Sequence, residues 1–140
     1  MRFATQVLAL GLLISSVSTT FAADLQGPVQ WQLSPRTALQ AAKEQQRPIL
    51  MYFTADYCGY CKKLDRNTWS NPAVADKLNS EFVPLQLDGD KFGELAEMLS
   101  VRGYPTMVVI SPEGKELGRI SGYIDATQMQ KRLSTLAAIK

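Results

Sequence analysis

The chain of 140 residues contains no histidine, which removes imidazole-based enzymes before any pattern is read. Cysteine is almost as scarce. There are two, Cys58 and Cys61, and two thiolates without an imidazole cannot complete a four-ligand zinc site within one chain. An excess of one charge is also missing. Lys and Arg number 15 against 13 Asp and Glu, a formal net charge of +2, and no basic stripe runs along the sequence, so nothing points to nucleic acid. Repeats, low-complexity tracts and internal linkers are absent as well. What remains to carry chemistry is the single segment Tyr57-Cys58-Gly59-Tyr60-Cys61.

The N-terminus reads as a targeting segment. Arg2 is followed by the apolar run Val7–Ile14, and Thr20-Phe21-Ala22 places small residues where a signal peptidase reads. The expectation is a cleavable signal peptide over residues 1–22, with Ala23 as the second choice for the cut. The competing reading is an uncleaved anchor. It is disfavoured because the run is short for a span of about 20 residues and serines and threonines follow it. No Arg-Arg pair marks the twin-arginine route, and no cysteine near the cut marks a lipoprotein. The remainder has the size of one domain with one core, with residues 23–33 as a lead-in and 34–140 as the folded unit. Export to an oxidising compartment, the periplasm, gives a cysteine pair meaning.

The punctuation of the chain sets its elements. Val29 and Trp31 alternate with glutamines as in an edge strand. Ser34-Pro35 reads as cap and first residue of a helix to about Gln46. The apolar run Pro48–Phe53 reads as a strand buried on both faces. A helix is expected from Cys58 to Trp69, broken at Asn71-Pro72, with a short helix over 73–78. Strands follow over 82–87 and 106–110, with a helix over 93–99 between them. Ser111-Pro112-Glu113-Gly114 is a turn that closes a hairpin to 116–120. Asp125 and Gln128 form a capping box ahead of a last helix to about Ala137. Parallel strands joined by helical crossovers, then a hairpin, give a three-layer α/β/α sandwich on a central mixed sheet.

A Cys-x-x-Cys pair at a helix start can exchange two electrons with another protein's cysteines. Cys58 stands where unpaired N–H groups and the helix dipole favour a thiolate, and Lys62 and Lys63 add positive charge. Cys61 lies one turn on, beside it. Cys58 would form the mixed disulfide with a substrate and Cys61 would release it. A disulfide that only staples the fold is the bland alternative, but so small a loop contributes roughly 2 kcal/mol. Copper(I) on the pair is the other. With no imidazole, Asp65, one turn beyond Cys61, is the candidate proton acceptor, directly or through water. A solvated helix-face carboxylate is the alternative for it. Asp56 reads as loop surface. Tyr104-Pro105 precedes the third strand, where an ordinary strand-entry proline is the default.

Phe53–Lys62 resembles the thioredoxin active-site segment, and Tyr104-Pro105-Thr106 resembles that family's cis-proline segment. More narrowly, Cys61–Asp65 with Asn67–Val74 is similar to the exported thioredoxin-like domain of the membrane reductase DsbD and its soluble relatives. The resemblance implies a thioredoxin fold over 34–140 and a cis Pro105 packed beside the cysteines. It also implies a Tyr104 backbone that pairs with a substrate strand, and a substrate surface formed by Tyr57, Gly59, Tyr60, Tyr104 and Pro105. An acidic residue at the place of Asp65 is part of that pattern. The chain departs from it in having Tyr57 where Trp is usual and Tyr60 where thioredoxins have Pro. Tyr52 and Pro84 replace the family's buried acid and its lysine partner.

The combined expectation is a periplasmic thiol–disulfide oxidoreductase that reduces disulfides in exported proteins. It would work as a monomer without cofactor or metal beyond its own Cys58–Cys61 disulfide, and a membrane thiol transporter would supply its electrons. The rivals are an oxidase or isomerase using the same residues, a copper(I) metallochaperone, and a non-catalytic binding module.

Overall fold

The computed structural model describes residues 28–139. The expected signal peptide lies outside the described residues, as does the start of the lead-in. Helix α1 (Pro35–Gln45) begins where Ser34 accepts the Thr37 N–H and Pro35 fills a position whose N–H would be unpaired. Strand β1 (Ile49–Thr54) leads into helix α2 (Gly59–Leu64), which runs on into a π-helical turn (Asp65–Trp69). Helix α3 (Pro72–Glu81), strand β2 (Val83–Asp88), helix α4 (Gly93–Met98), strands β3 (Thr106–Ile110) and β4 (Glu116–Ser121), and helix α5 (Ala126–Ala137) complete the order.

The sheet order is β2-β1-β3-β4, with β1 parallel to β2 and antiparallel to β3. Alternation along β1 divides the core in two. Ile49, Met51 and Phe53 join Ala38 and Ala42 of α1 and Ala96 of α4 on one face. Leu50 and Tyr52 join Cys61, Leu64, Leu78 and Leu133 on the other, under α2, α3 and α5. The result is the expected three-layer arrangement, with the cysteine helix on the Tyr52 face.

Three local expectations are corrected. Among the described residues the lead-in makes a single bridge, Gln32 to Leu85, rather than an edge strand. The helix from the cysteines does not run unbroken to Trp69 but changes to π geometry at Asp65. The third strand is not parallel to the first. The link after β2 returns to where it began: the Tyr104 ring lies against Gly89, the first residue beyond β2, so the chain re-enters the sheet from the end at which it left. β3 therefore enters at the end where β1 finishes, with Thr106 opposite Phe53. That direction brings Pro105 to the same end of the sheet as the cysteines.

The capping box of α5 is complete. Asp125 accepts the Gln128 N–H at 2.8 Å, and the Gln128 side chain accepts the Asp125 N–H at 3.3 Å. Asp125→Ala should lower the unfolding free energy in urea by about 1 kcal/mol; an unchanged midpoint and slope would show that the cap contributes nothing.

Candidate active site

After β1 the chain turns at Ala55, whose carbonyl accepts the Cys58 N–H at 3.1 Å. Cys58 is the N-cap of α2 rather than its first helical residue, and its Sγ accepts the Cys61 N–H at 3.1 Å. The two cysteines are joined as a disulfide with Cα atoms 5.2 Å apart. They are not equivalent: Cys58 is half-buried, while Cys61 is 1% exposed in the Tyr52 core. Gly59 has open space where a Cβ would stand, so packing does not demand glycine there. Tyr57 and Tyr60 are 72% and 65% exposed on either side of Cys58, large apolar rings left in water. The Tyr57 hydroxyl donates to Asp90 Oδ1 at 3.3 Å, linking the cysteine turn to the segment after β2.

The Tyr104–Pro105 peptide is cis. Pro105 is buried, its carbonyl accepting the Gly122 N–H at 2.8 Å, and Tyr104 is half-buried. The Tyr104 phenol lies directly over Gly89, where an added Cβ would overlap the ring. A cleft of about 430 Å³ lies beside Pro105, lined among others by Val101, Tyr104, Thr106 and Arg119. Another cleft, about 530 Å³, opens among Arg47, Pro48, Ser111 and Ile139 at the opposite end of the sheet and holds none of the expected site residues. Among the described residues no cluster of three or more His, Cys, Asp or Glu could hold a metal ion.

Asp65 ends α2 and opens the π turn, its N–H donating back to the Cys61 carbonyl. The residue is exposed, but its Oδ1 turns inward to accept the Tyr52 hydroxyl at 3.3 Å. Tyr52 is 0% exposed, and its ring is held between Trp31 and Trp69 with centroids 5.4 and 5.5 Å away. Partial burial raises the Asp65 pKa, against the opposing effects of the Tyr52 hydrogen bond and of Arg66. In the sequence Tyr52 is one residue of the apolar run Pro48–Phe53 and stands where the family has an acid. The signal that places it is the alternation of β1, which puts residues 50 and 52 on the α2 side. Asp90 and Gly89 were not singled out, and no local pattern marks them.

Because the folded pKa of Asp65 lies above its ordinary 3.8, the native state holds more protons than the unfolded chain just above that pH. Asp65 therefore subtracts stability as pH rises through its titration. Asp65→Asn should gain stability relative to the parent protein over the same interval, read from denaturation midpoints between pH 3.5 and 7. A difference that stays constant with pH would refute the burial effect.

A family model described as a thioredoxin-like domain matches residues 35–137. The chain is 33% identical over 96 residues to the thiol:disulfide interchange protein DsbD of Photorhabdus laumondii, a stretch covering 64% of this chain and 16% of that protein. It thus spans about a sixth of the curated relative it matches. Among solved structures, a thioredoxin from Thermus thermophilus superposes with a TM-score of 0.72 at 28% identity, over 80% of this chain and 89% of the other. The C-terminal domain of DsbD from Neisseria meningitidis, in its reduced form, gives 0.63 at 23% identity over 71% and 90%, a likeness of fold. With the match running from α1 to the end of α5 and the cysteine pair at the start of α2, the chain belongs to the thioredoxin-like domain family.

Proposed function

We propose that the protein reduces disulfides of other proteins in an exported, periplasmic compartment and is itself re-reduced by a membrane thiol donor. The observation that carries the assignment of roles is the unequal exposure of the pair. Cys58 is half-buried at a helix start, whereas Cys61 is 1% exposed and sealed in the core. In the reduced protein the Cys61 N–H, which already points at Cys58 Sγ, would favour the Cys58 thiolate. That thiolate attacks a substrate disulfide, forming the mixed disulfide and expelling one substrate thiolate. Cys61 then attacks Cys58, the Cys58–Cys61 bond forms, and the second substrate thiol leaves. The substrate gains two electrons and the pair loses them.

Tyr57, Gly59, Tyr60, Tyr104 and Pro105 form the surface on which the substrate segment rests. Their end of the sheet, the exposed aromatic rings and the cleft beside Pro105 support this reading. Among the described residues the Tyr104 main chain has no hydrogen-bond partner, which suits it to pair with an extended substrate. Asp65 takes the Cys61 proton. Likeness to a segment of DsbD supports the reducing direction and the thiol donor. No cofactor is used beyond the cysteine pair, and the protein acts as a monomer.

Cys58→Ser should abolish reduction of insulin disulfides, and Cys61→Ser should accumulate mixed disulfides visible on non-reducing gels. Full activity of Cys58→Ser, or no trapping by Cys61→Ser, would overturn these roles. Equilibration with glutathione should give a potential near about −270 mV; a value near about −120 mV would make the protein an oxidant instead.

A further inference from the structure

The Tyr52 hydroxyl is a polar atom in the innermost layer of the core, directly beneath the buried cysteine. It is 3.3 Å from Asp65 Oδ1 and 3.5 Å from the Cys61 carbonyl. A phenol has one proton to give, and the nearer and charged acceptor takes it. The ring cannot swing away, because Trp31 and Trp69 hold it and are themselves in edge contact at 5.3 Å. The Trp69 Nε1 is buried without a hydrogen-bond partner among the described residues. Asp65 stands four residues beyond Cys61 and its N–H donates to the Cys61 carbonyl, which places the two side chains on one side of the helix.

The geometry points to Tyr52 as a positioning residue: its buried hydroxyl holds the Asp65 carboxylate toward Cys61, so that Asp65 receives the Cys61 proton during the resolving step. This rests on the reductase reading above. In that step the Cys61 proton passes to Asp65 through water and the Cys61 thiolate attacks Cys58. The Cys58–substrate bond breaks with its electron pair on the substrate sulfur, and that thiolate is protonated from Asp65. Burial, aided by the Asp65 charge, raises the Tyr52 pKa far above the ordinary phenol value, so the hydroxyl remains a donor throughout. The groups that bear on Asp65 are Tyr52 from β1, Cys61 from its own helix, and Arg66 beside it. Lys63 is engaged with the Tyr123 ring, 4.4 Å from its centroid.

The test compares Tyr52→Phe, Asp65→Asn and the double variant by rapid-quench measurement of mixed-disulfide resolution across pH. A single glutathione mixed disulfide on Cys58 is the starting species. Asp65→Asn should slow resolution by about a hundredfold and Tyr52→Phe by about tenfold, with the double variant no slower than Asp65→Asn alone. Losing the donated hydrogen bond raises the Asp65 pKa, so the acidic limb of the Tyr52→Phe profile should move to higher pH. Carbon-13 titration of the Asp65 carboxyl in the reduced Tyr52→Phe protein should show the same upward shift, independently of turnover. Resolution at the parent rate, an additive double variant, or an unmoved Asp65 titration would overturn the inference. Each of these outcomes leaves the reductase reading intact if the parent protein reduces insulin and Cys58→Ser does not.

Discussion

Burial of β1 on both faces is the constraint from which the site follows. A strand paired on both edges and covered on both faces cannot shift without disturbing two cores and two hydrogen-bonded ladders. Its end at Thr54 is therefore a fixed point. From it the chain has only four residues, 55–58, before α2 begins, and that brevity sets where Cys58 stands. The same strand, through alternate side chains, supplies the phenol on which Asp65 rests. Position of the sulfur and surroundings of the carboxylate thus share one origin.

The antiparallel entry of β3 is the second determinant. It brings a buried proline and a half-buried tyrosine to the cysteine end of the sheet without any long insertion. Gly89 completes that end. Its lack of a side chain lets the Tyr104 phenol lie against the segment that follows β2, while Tyr57 reaches the same segment through Asp90. Three segments distant in sequence meet at the cysteine end of the sheet.

Much of this was legible in the sequence because the chain marks its own boundaries. Ser34-Pro35, Asn71-Pro72 and Asp125 with Gln128 are caps whose chemistry is local, and each opens a helix. The cysteine pair and the apolar run before it were equally plain. The direction of β3 was not, because it depends on where the link after β2 brings the chain back rather than on any residue within β3. The π turn was also illegible. Its start is fixed by the cysteine helix. Its end is fixed by Thr68, whose hydroxyl donates to the Ile124 carbonyl at 2.7 Å, and by Trp69 packed on Tyr52. The extra residue between these fixed ends is absorbed as a wider turn, and such turns cluster at functional sites. Tyr52 showed the limit from the other side: at sequence level it was a missing acid, and only the fold made it a donor.

The chain has two tryptophans, and both enclose Tyr52 beneath the cysteine helix. The core on the opposite face of the sheet, built around Phe53, Ile49 and Leu87, has none. Tryptophan emission is therefore a one-sided observer. It watches the face that carries the disulfide and is blind to the packing of α1 and α4, so a disturbance of that second layer would pass unseen in fluorescence while backbone dichroism registered it.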